Sequence, residues 1–175
     1  NFEDDQKRVV AATYGDIRVI CIYVPNGESV DSEKFQYKLN WLSALNRWLQ
    51  EELAQFPKLV LLGDFNIAPA DSDVHNPELW KDQVLCSSPE RDAFQNLLNL
   101  GLYDSFRLFE QPGKSYTWWD YRMLAFRLNK GLRIDHILLS KALTESCESC
   151  VIDKTPRKLE RPSDHTPVVV TLKIG

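Results

Sequence analysis

No stretch of this 175-residue chain approaches the roughly 20 consecutive apolar residues that a membrane-spanning helix needs. Its start also lacks the basic-then-apolar pattern of a signal peptide. Internal repeats and low-complexity linkers are missing as well, so neither a solenoid nor a string of loosely tethered modules is expected. These absences leave a soluble protein that makes no use of a membrane. Cysteine is sparse: Cys21, Cys86, Cys147 and Cys150 show no dense regular spacing, which excludes a disulfide scaffold and predicts reduced thiols in a cytoplasmic setting. Cys147 and Cys150 fall in an expected strand, where a spacing of three sends them to opposite faces and disfavours a shared redox or zinc role. A strong positive charge is lacking too. The net charge of −4 excludes a protein that coats nucleic acid by bulk attraction, but leaves room for a local basic surface.

With 43% hydrophobic and 11% aromatic residues, the chain can bury a sizeable core as one domain. VVAATY (9 to 14) and IRVICIY (17 to 23) predict two strands joined by a turn at Gly15-Asp16. Phe35, Leu39, Leu42, Leu45, Leu49, Leu53 and Phe56 recur at helical steps. They predict a helix over 33 to 56, with Asp31 or Ser32 as its cap and Pro57 as its stop. A strand over 58 to 62 follows. A second amphipathic helix is expected near 90 to 99, started by Ser88 or Pro89 and ended by Gly101. Further strands are expected around 116 to 118, at 133 to 139 and at 168 to 174. This mixture favours a layered α/β arrangement with sheet on sheet and helices outside, over a doubly wound sheet.

The charges are unevenly placed. Between Lys114 and Arg133 five basic residues (Lys114, Arg122, Arg127, Lys130, Arg133) face the single acid Asp120, interleaved with Tyr116, Trp118, Trp119, Tyr121 and Phe126. Such a stretch suits phosphate binding with ring stacking, or else a solvated face over core aromatics. Three strand ends deliver acids and amides into loops: Gly63-Asp64-Phe65-Asn66, Asp135-His136 and Ser163-Asp164-His165. Carboxylate and amide oxygens suit a hard ion such as Mg²⁺, and a His beside an Asp can be held charged against a phosphate. These are the parts that phosphodiester hydrolysis needs.

At these residues the sequence resembles the endonuclease/exonuclease/phosphatase superfamily, and within it the exodeoxyribonuclease III type of abasic-site endonuclease. The resemblance runs from about Lys7 to the C-terminus, through CIYVPNG (21 to 27), LLGDFNIAP (61 to 69), ERDAF (90 to 94), YTWWDYR (116 to 122), LRIDHILLS (132 to 140) and RPSDHTPV (161 to 168). It implies a four-layer α/β sandwich and a DNA-repair nuclease that cuts duplex DNA 5′ to abasic sites, removes nucleotides 3′→5′, or both. The implied cofactor is Mg²⁺, with Mn²⁺ as the alternative, and the implied setting is the bacterial cytoplasm at the nucleoid.

The resemblance also implies roles. Asp64 would activate or orient the water, and Asn66 would hold it and the phosphate. His165 would bind a phosphoryl oxygen, oriented by Asp135, and Tyr23 would donate toward the phosphate. Asp64, Asn66, Asp164 and His165 would lie at or near the metal. Asn26, Arg122 and Lys130, with the loop near Arg127, would contact the DNA backbone. Trp118, Leu132 and Ile134 would line an apolar pocket for a flipped-out abasic sugar. The family's first half, with an early Asn and a metal-binding Glu, has no counterpart in this chain, which begins at Asn1 and has Met123 as its only methionine. Residues 1–175 are therefore expected to be the C-terminal portion of one such domain, self-associating or marginally folded alone. The alternatives are a phosphoinositide or sphingomyelin phosphodiesterase of the same superfamily, and an inactive DNA-binding fragment.

Overall fold

The structure is a computed structural model that describes residues 4–174. Strands β1 (Val9–Tyr14) and β2 (Ile17–Tyr23) form the expected hairpin, closed by Gly15 in the left-handed region. Helix α1 (Glu33–Gln55) starts where Ser32 accepts a hydrogen bond from the Phe35 amide at 3.1 Å. Strand β3 (Lys58–Asp64) runs two residues beyond its expected end. A single-turn helix α2 (Pro77–Trp80) precedes α3 (Ser88–Leu98), which Ser87 caps with Glu90 bonding back to the Ser87 amide. Then come β4 (Leu102–Asp104), β5 (Asp135–Ser140), the short helix α4 (Lys141–Thr144), β6 (Cys147–Ile152) and β7 (Val168–Leu172).

Five strands make one mixed sheet in the order β1-β2-β3-β5-β4, while β6 and β7 form a separate antiparallel pair. Alternation along the strands gives each sheet face its own core. Ile20, Ile22, Leu59, Leu61 and Leu138 turn toward α1 and α3, meeting Trp41, Leu42, Leu45, Leu49, Phe94 and Leu97. Each fully buried aliphatic side chain there contributes about 1.5–3 kcal/mol over its exposed state. On the opposite face Ile17, Val60 and Leu139 are buried with Val170, Leu172 and Cys147 of the two-stranded sheet packed near them, whereas Val19, Leu62 and Ile137 are only half-buried. The α/β sandwich thus shows three layers among the described residues: helices, the five-stranded sheet and the two-stranded sheet.

Two expectations need correction. Residues 116 to 118 form no strand; Trp118 makes isolated bridges to Leu132 and His165 instead. In β6 a bulge between Cys147 and Ser149 interrupts the alternation assumed for the two cysteines. All four thiols are free, and burial raises those of Cys86 (to about 12), Cys147 and Cys150. None of these three is a thiolate nucleophile at neutral pH.

Candidate functional site

The sheet register draws three polar residues into one row. Tyr23 pairs with Asp64 across β2 and β3, and Asp64 pairs with Asp135 across β3 and β5. By alternation from Val19, Leu62 and Ile137, all three side chains project from the same face, the one that carries the two-stranded sheet. The loop before β7 then sets His165 opposite them. Asp64 reaches this row because Gly63 takes φ +136, where an added Cβ would lie 2.0 Å from the Ile22 carbonyl oxygen.

The Nδ1 of His165 lies 2.9 and 3.1 Å from the two Asp135 oxygens, and its Nε2 lies 4.0 Å from Asp64 Oδ2. Burial works to depress the imidazole's pKa, but the hydrogen bond and charge of Asp135, with Asp64 and Asp164 nearby, outweigh it and raise the value. His165 is therefore held toward its charged form, with Nδ1–H directed at Asp135. Asp64 moves the other way from an ordinary carboxylate: desolvation first, then the Asp135 charge, push it up to about 6. A carboxylate so placed is a better proton acceptor than one in water. The ligand atoms of Asp64, Asp135 and His165 lie within 4.8 Å of one another, close enough to share an ion.

Asn66 sits beside this row in the left-handed region, φ +50. Its amide donates to Asp64 Oδ1 at 2.8 Å, and its Nδ2 to the Val24 carbonyl at 3.0 Å and to Asp64 Oδ2 at 3.2 Å. Asn26 donates to Asn66 Oδ1 at 3.2 Å, so the YVPNG and GDFN loops meet through two amides. Asp164 accepts from the Trp118 indole at 3.0 Å, which couples the aromatic segment to the Ser163-Asp164-His165 loop. Leu132 and Ile134 are fully buried with Val74, Leu85 and Cys86, and half-buried Trp118 packs at the edge of that cluster. Tyr23 is 52% exposed, with the Arg8 guanidinium over its ring at 5.1 Å.

The basic stretch divides. Lys114, Arg122, Arg127 and Lys130 are exposed, Arg122 pairing with its neighbour Asp120. Arg133 is a correction: it is no surface cation but is 2% exposed, with Nε 2.7 Å from Asp73 Oδ1 and Nη2 2.7 Å from Asp104 Oδ2. Tyr116 and Trp119 are likewise core.

Arg133 also reveals a residue that sequence reasoning quoted without assigning. Its Nη1 lies 3.0 Å from Nδ1 of buried His136, whose Nε2 lies 2.9 Å from the Ile67 carbonyl. Guanidinium only donates, so His136 Nδ1 accepts and Nε2 carries the proton given to Ile67. Desolvation, then the Arg133 charge, lower this imidazole to about 4 and keep it neutral. His136 thereby bolts the loop after Asp64 to the strand that carries Asp135. The signal available in sequence was its place next to Asp135.

Comparison with known proteins agrees with this architecture. A model of the endonuclease/exonuclease/phosphatase family matches residues 3–165. Exodeoxyribonuclease III of Haemophilus influenzae is 38% identical over 98% of this chain and 68% of its own length. An exodeoxyribonuclease of Bacillus subtilis is 33% identical over 98% of this chain and 66% of its own. The chain thus spans about two thirds of each bacterial relative. A solved 3′ phosphatase from Neisseria, bound to a product DNA hairpin, is 50% identical and superposes with a TM-score of 0.96 over 98% of this chain and 67% of that one. An AP endonuclease from Archaeoglobus fulgidus is 38% identical with a TM-score of 0.91, covering 99% of this chain and 70% of that one. The sheet that aligns Tyr23, Asp64 and Asp135 is therefore an inherited one, and the chain belongs to the endonuclease/exonuclease/phosphatase family.

Proposed function

We propose that the protein carrying this chain is a DNA-repair nuclease that hydrolyses phosphodiesters in duplex DNA, with residues 1–175 as the C-terminal portion of its catalytic domain. The observation that carries the reading is the row Tyr23–Asp64–Asp135 with His165 set against it. In this reading Asp64 takes the proton of the attacking water, and charged His165, oriented by Asp135, binds a phosphoryl oxygen. Tyr23 donates its hydroxyl to the phosphate, and the coupled amides of Asn66 and Asn26 hold the water and the DNA backbone.

A divalent ion fits this donor set, because Asp64 and Asp135 present oxygens close together and Asp164 adds a third carboxylate on the neighbouring loop. Asp64 would hold it, with Asp135, Asn66 and Asp164 as the neighbouring oxygen donors, and Mg²⁺ suits their oxygens better than a soft metal. His165, engaged by Asp135 and held toward its charged form, is less suited to ligate. When bound, the ion would balance negative charge on the phosphate and leaving oxygen.

The substrate in this reading is duplex DNA that offers an abasic site, with Trp118 at the edge of the Leu132 and Ile134 cluster selecting the base-less sugar, and Arg122 and Lys130 on the backbone. A second reading, processing of 3′ ends, is favoured by the 50% identity to the Neisseria 3′ phosphatase and to a 3′–5′ exonuclease from Neisseria meningitidis. No helix among the described residues is long and apolar enough to cross a membrane; we place the protein with DNA in the cytoplasm. The half-buried row Val19, Leu62 and Ile137 makes self-association of this chain alone the expected behaviour in sedimentation.

The test is cleavage of two duplexes, one with an internal abasic site and one with a 3′ phosphate, by the complete protein in Mg²⁺, Mn²⁺ or EDTA. Incision 5′ to the abasic site that leaves a 3′ hydroxyl and stops in EDTA supports the first reading. Release of phosphate from the 3′ end alone selects the second. Undiminished cleavage in EDTA rejects both.

A further inference from the structure

The buried face of α1 contains a cation. Lys38 lies three residues after Phe35 and four before Leu42, in phase with the apolar stripe, and it is 0% exposed. An ammonium has three hydrogens to give, and three acceptors surround this one. They are the Asn26 carbonyl at 3.0 Å, the Asn66 carbonyl at 2.7 Å and the Glu90 carboxylate. Glu90, equally buried, accepts in turn from the amides of Leu85 at 2.9 Å and Ser87 at 3.1 Å and from the Ser87 hydroxyl at 2.5 Å. The stem also supports the first loop, since a Cβ at Gly27 would stand 3.1 Å from Lys38 Cδ.

Stability does not explain such a pair. A buried ammonium and carboxylate lose so much hydration that apolar residues of the same volume usually serve the fold as well or better. An apolar pair, however, has no hydrogens for the Asn26 and Asn66 carbonyls, which lie just past the ends of the interior strands β2 and β3. Asn66 in particular holds a left-handed conformation that a non-glycine residue adopts only when its surroundings over-determine it. Its amide is fixed by Asp64 and its carbonyl by Lys38.

We propose that Lys38, with Glu90 as its counter-ion, is a positioning residue of the reaction: one ammonium ties the Asn26 and Asn66 backbones together and so sets both side chains against Asp64. The inference rests on the nuclease reading for its kinetic consequence and on geometry alone for its structural one. Reactive groups displaced by about 1 Å lose on the order of 100-fold in rate, so slack at this tie lowers turnover far more than it weakens the single backbone contact assigned to Asn26.

The experiment uses the complete protein and two double variants, Lys38→Met with Glu90→Gln and Lys38→Gln with Glu90→Gln. Both remove the two buried charges and share the glutamine at position 90; only the second returns N–H donors at position 38, toward the two carbonyls. Amide exchange is followed over 24–28 and 64–68, along with thermal unfolding and kcat and KM on abasic duplex. The methionine double should melt close to the parent, exchange about tenfold faster in both loops but not in β3 or α1, and lose roughly 10- to 100-fold in kcat with KM within about threefold. The glutamine double should recover part of both losses. Parental loop exchange in the methionine double, or equal kcat in the two doubles, overturns the proposal. If the methionine double does not fold, the glutamine double is read alone: faster exchange confined to 24–28 and 64–68 supports Lys38 as the tie, and parental exchange there, or loosening spread equally over β3 and α1, overturns it. A parent that cleaves neither duplex sinks the nuclease reading, while the exchange arm, which needs no substrate, still judges the tie.

Discussion

The acid end of the sheet and the basic aromatic segment that touches it through Trp118 are built on opposite plans. Asp64, Asp135 and His165 have side chains 17%, 19% and 31% exposed, and Asn66, 4% exposed, is bonded on its amide, side chain and carbonyl. Along the segment, Tyr121, Met123, Leu124 and Leu128 are 64%, 82%, 62% and 55% exposed, and the Arg122 side chain 84%. Its base is nonetheless anchored: Tyr116 and Trp119 are buried, and the Arg157 guanidinium lies 4.8 Å from the Phe126 ring. Met123 and Leu124 hold left-handed backbones at about 1–2 kcal/mol each, so the tip's shape is set by its anchors and not by packing of its own side chains. In the proposed nuclease the contrast separates two tasks. Groups that act on a transition state gain by being fixed beforehand, whereas a surface that grips a long polyanion gains by adapting.

Four measurements can break or sharpen that contrast. The largest effect is expected beneath the acid end: Arg133→Met strands Asp104 as a buried carboxylate without a cation, leaves Asp73 only the partly exposed Arg107, and should cost about 3–5 kcal/mol in chemical denaturation. A loss below about 1 kcal/mol would mean that the network is not what fixes β5.

Next comes pH. His136 takes a proton at about 6.5 when unfolded but only near 4 in the fold, so between those values the unfolded state binds more protons and stability falls as pH falls. The difference amounts to about 3 kcal/mol at 1.36 kcal/mol per unit. Asp64, raised to about 6, acts in the opposite sense over much of that window and is common to both proteins compared. Subtracting the His136→Phe pH profile from that of the parent should therefore leave the His136 slope; parallel profiles from pH 7 to 4 would refute a neutral buried imidazole.

On the same scale, Asp64→Asn and His165→Ala should each lower kcat on abasic duplex about 100-fold or more, near 2.7 kcal/mol of barrier, while melting barely shifts. A variant that loses stability instead marks its residue as structural. The smallest effect belongs to the segment. Arg122→Ala with Arg127→Ala should raise KM about three- to tenfold and flatten its dependence on log salt by about two, leaving kcat unchanged. A fall in kcat would show that the tip, too, is preset.

What the sequence displays of this site is what lies near a strand end. Asp64, Asn66, Asp135 and His165 stand in short motifs whose turn residues betray a hydrophobic run stopping on polar groups. That Tyr23, Asp64 and Asp135 share a row follows from pairing register, which spacing does not encode. Arg133 is read among the basic surface residues because its partners, Asp73 and Asp104, are 60 and 29 positions away. Lys38 is hidden for the reverse reason: its helical phase marks it as buried, but a charge in an apolar stripe reads as an interruption until Glu90 is seen opposite. β4 is three residues long, too short for alternation to emerge, and residues 116 to 118 have strand-like composition yet spend their bonds on single bridges.

Gly63 sets a limit on how this site can vary. Because a side chain there would collide with the backbone of the adjacent strand and not with another side chain, no second substitution elsewhere can make room for it. In a library randomised over 62 to 66, position 63 should return glycine alone, while half-buried Leu62 accepts other aliphatics. The residue without a side chain is the one through which any redesign of the chemistry at Asp64 has to pass unchanged.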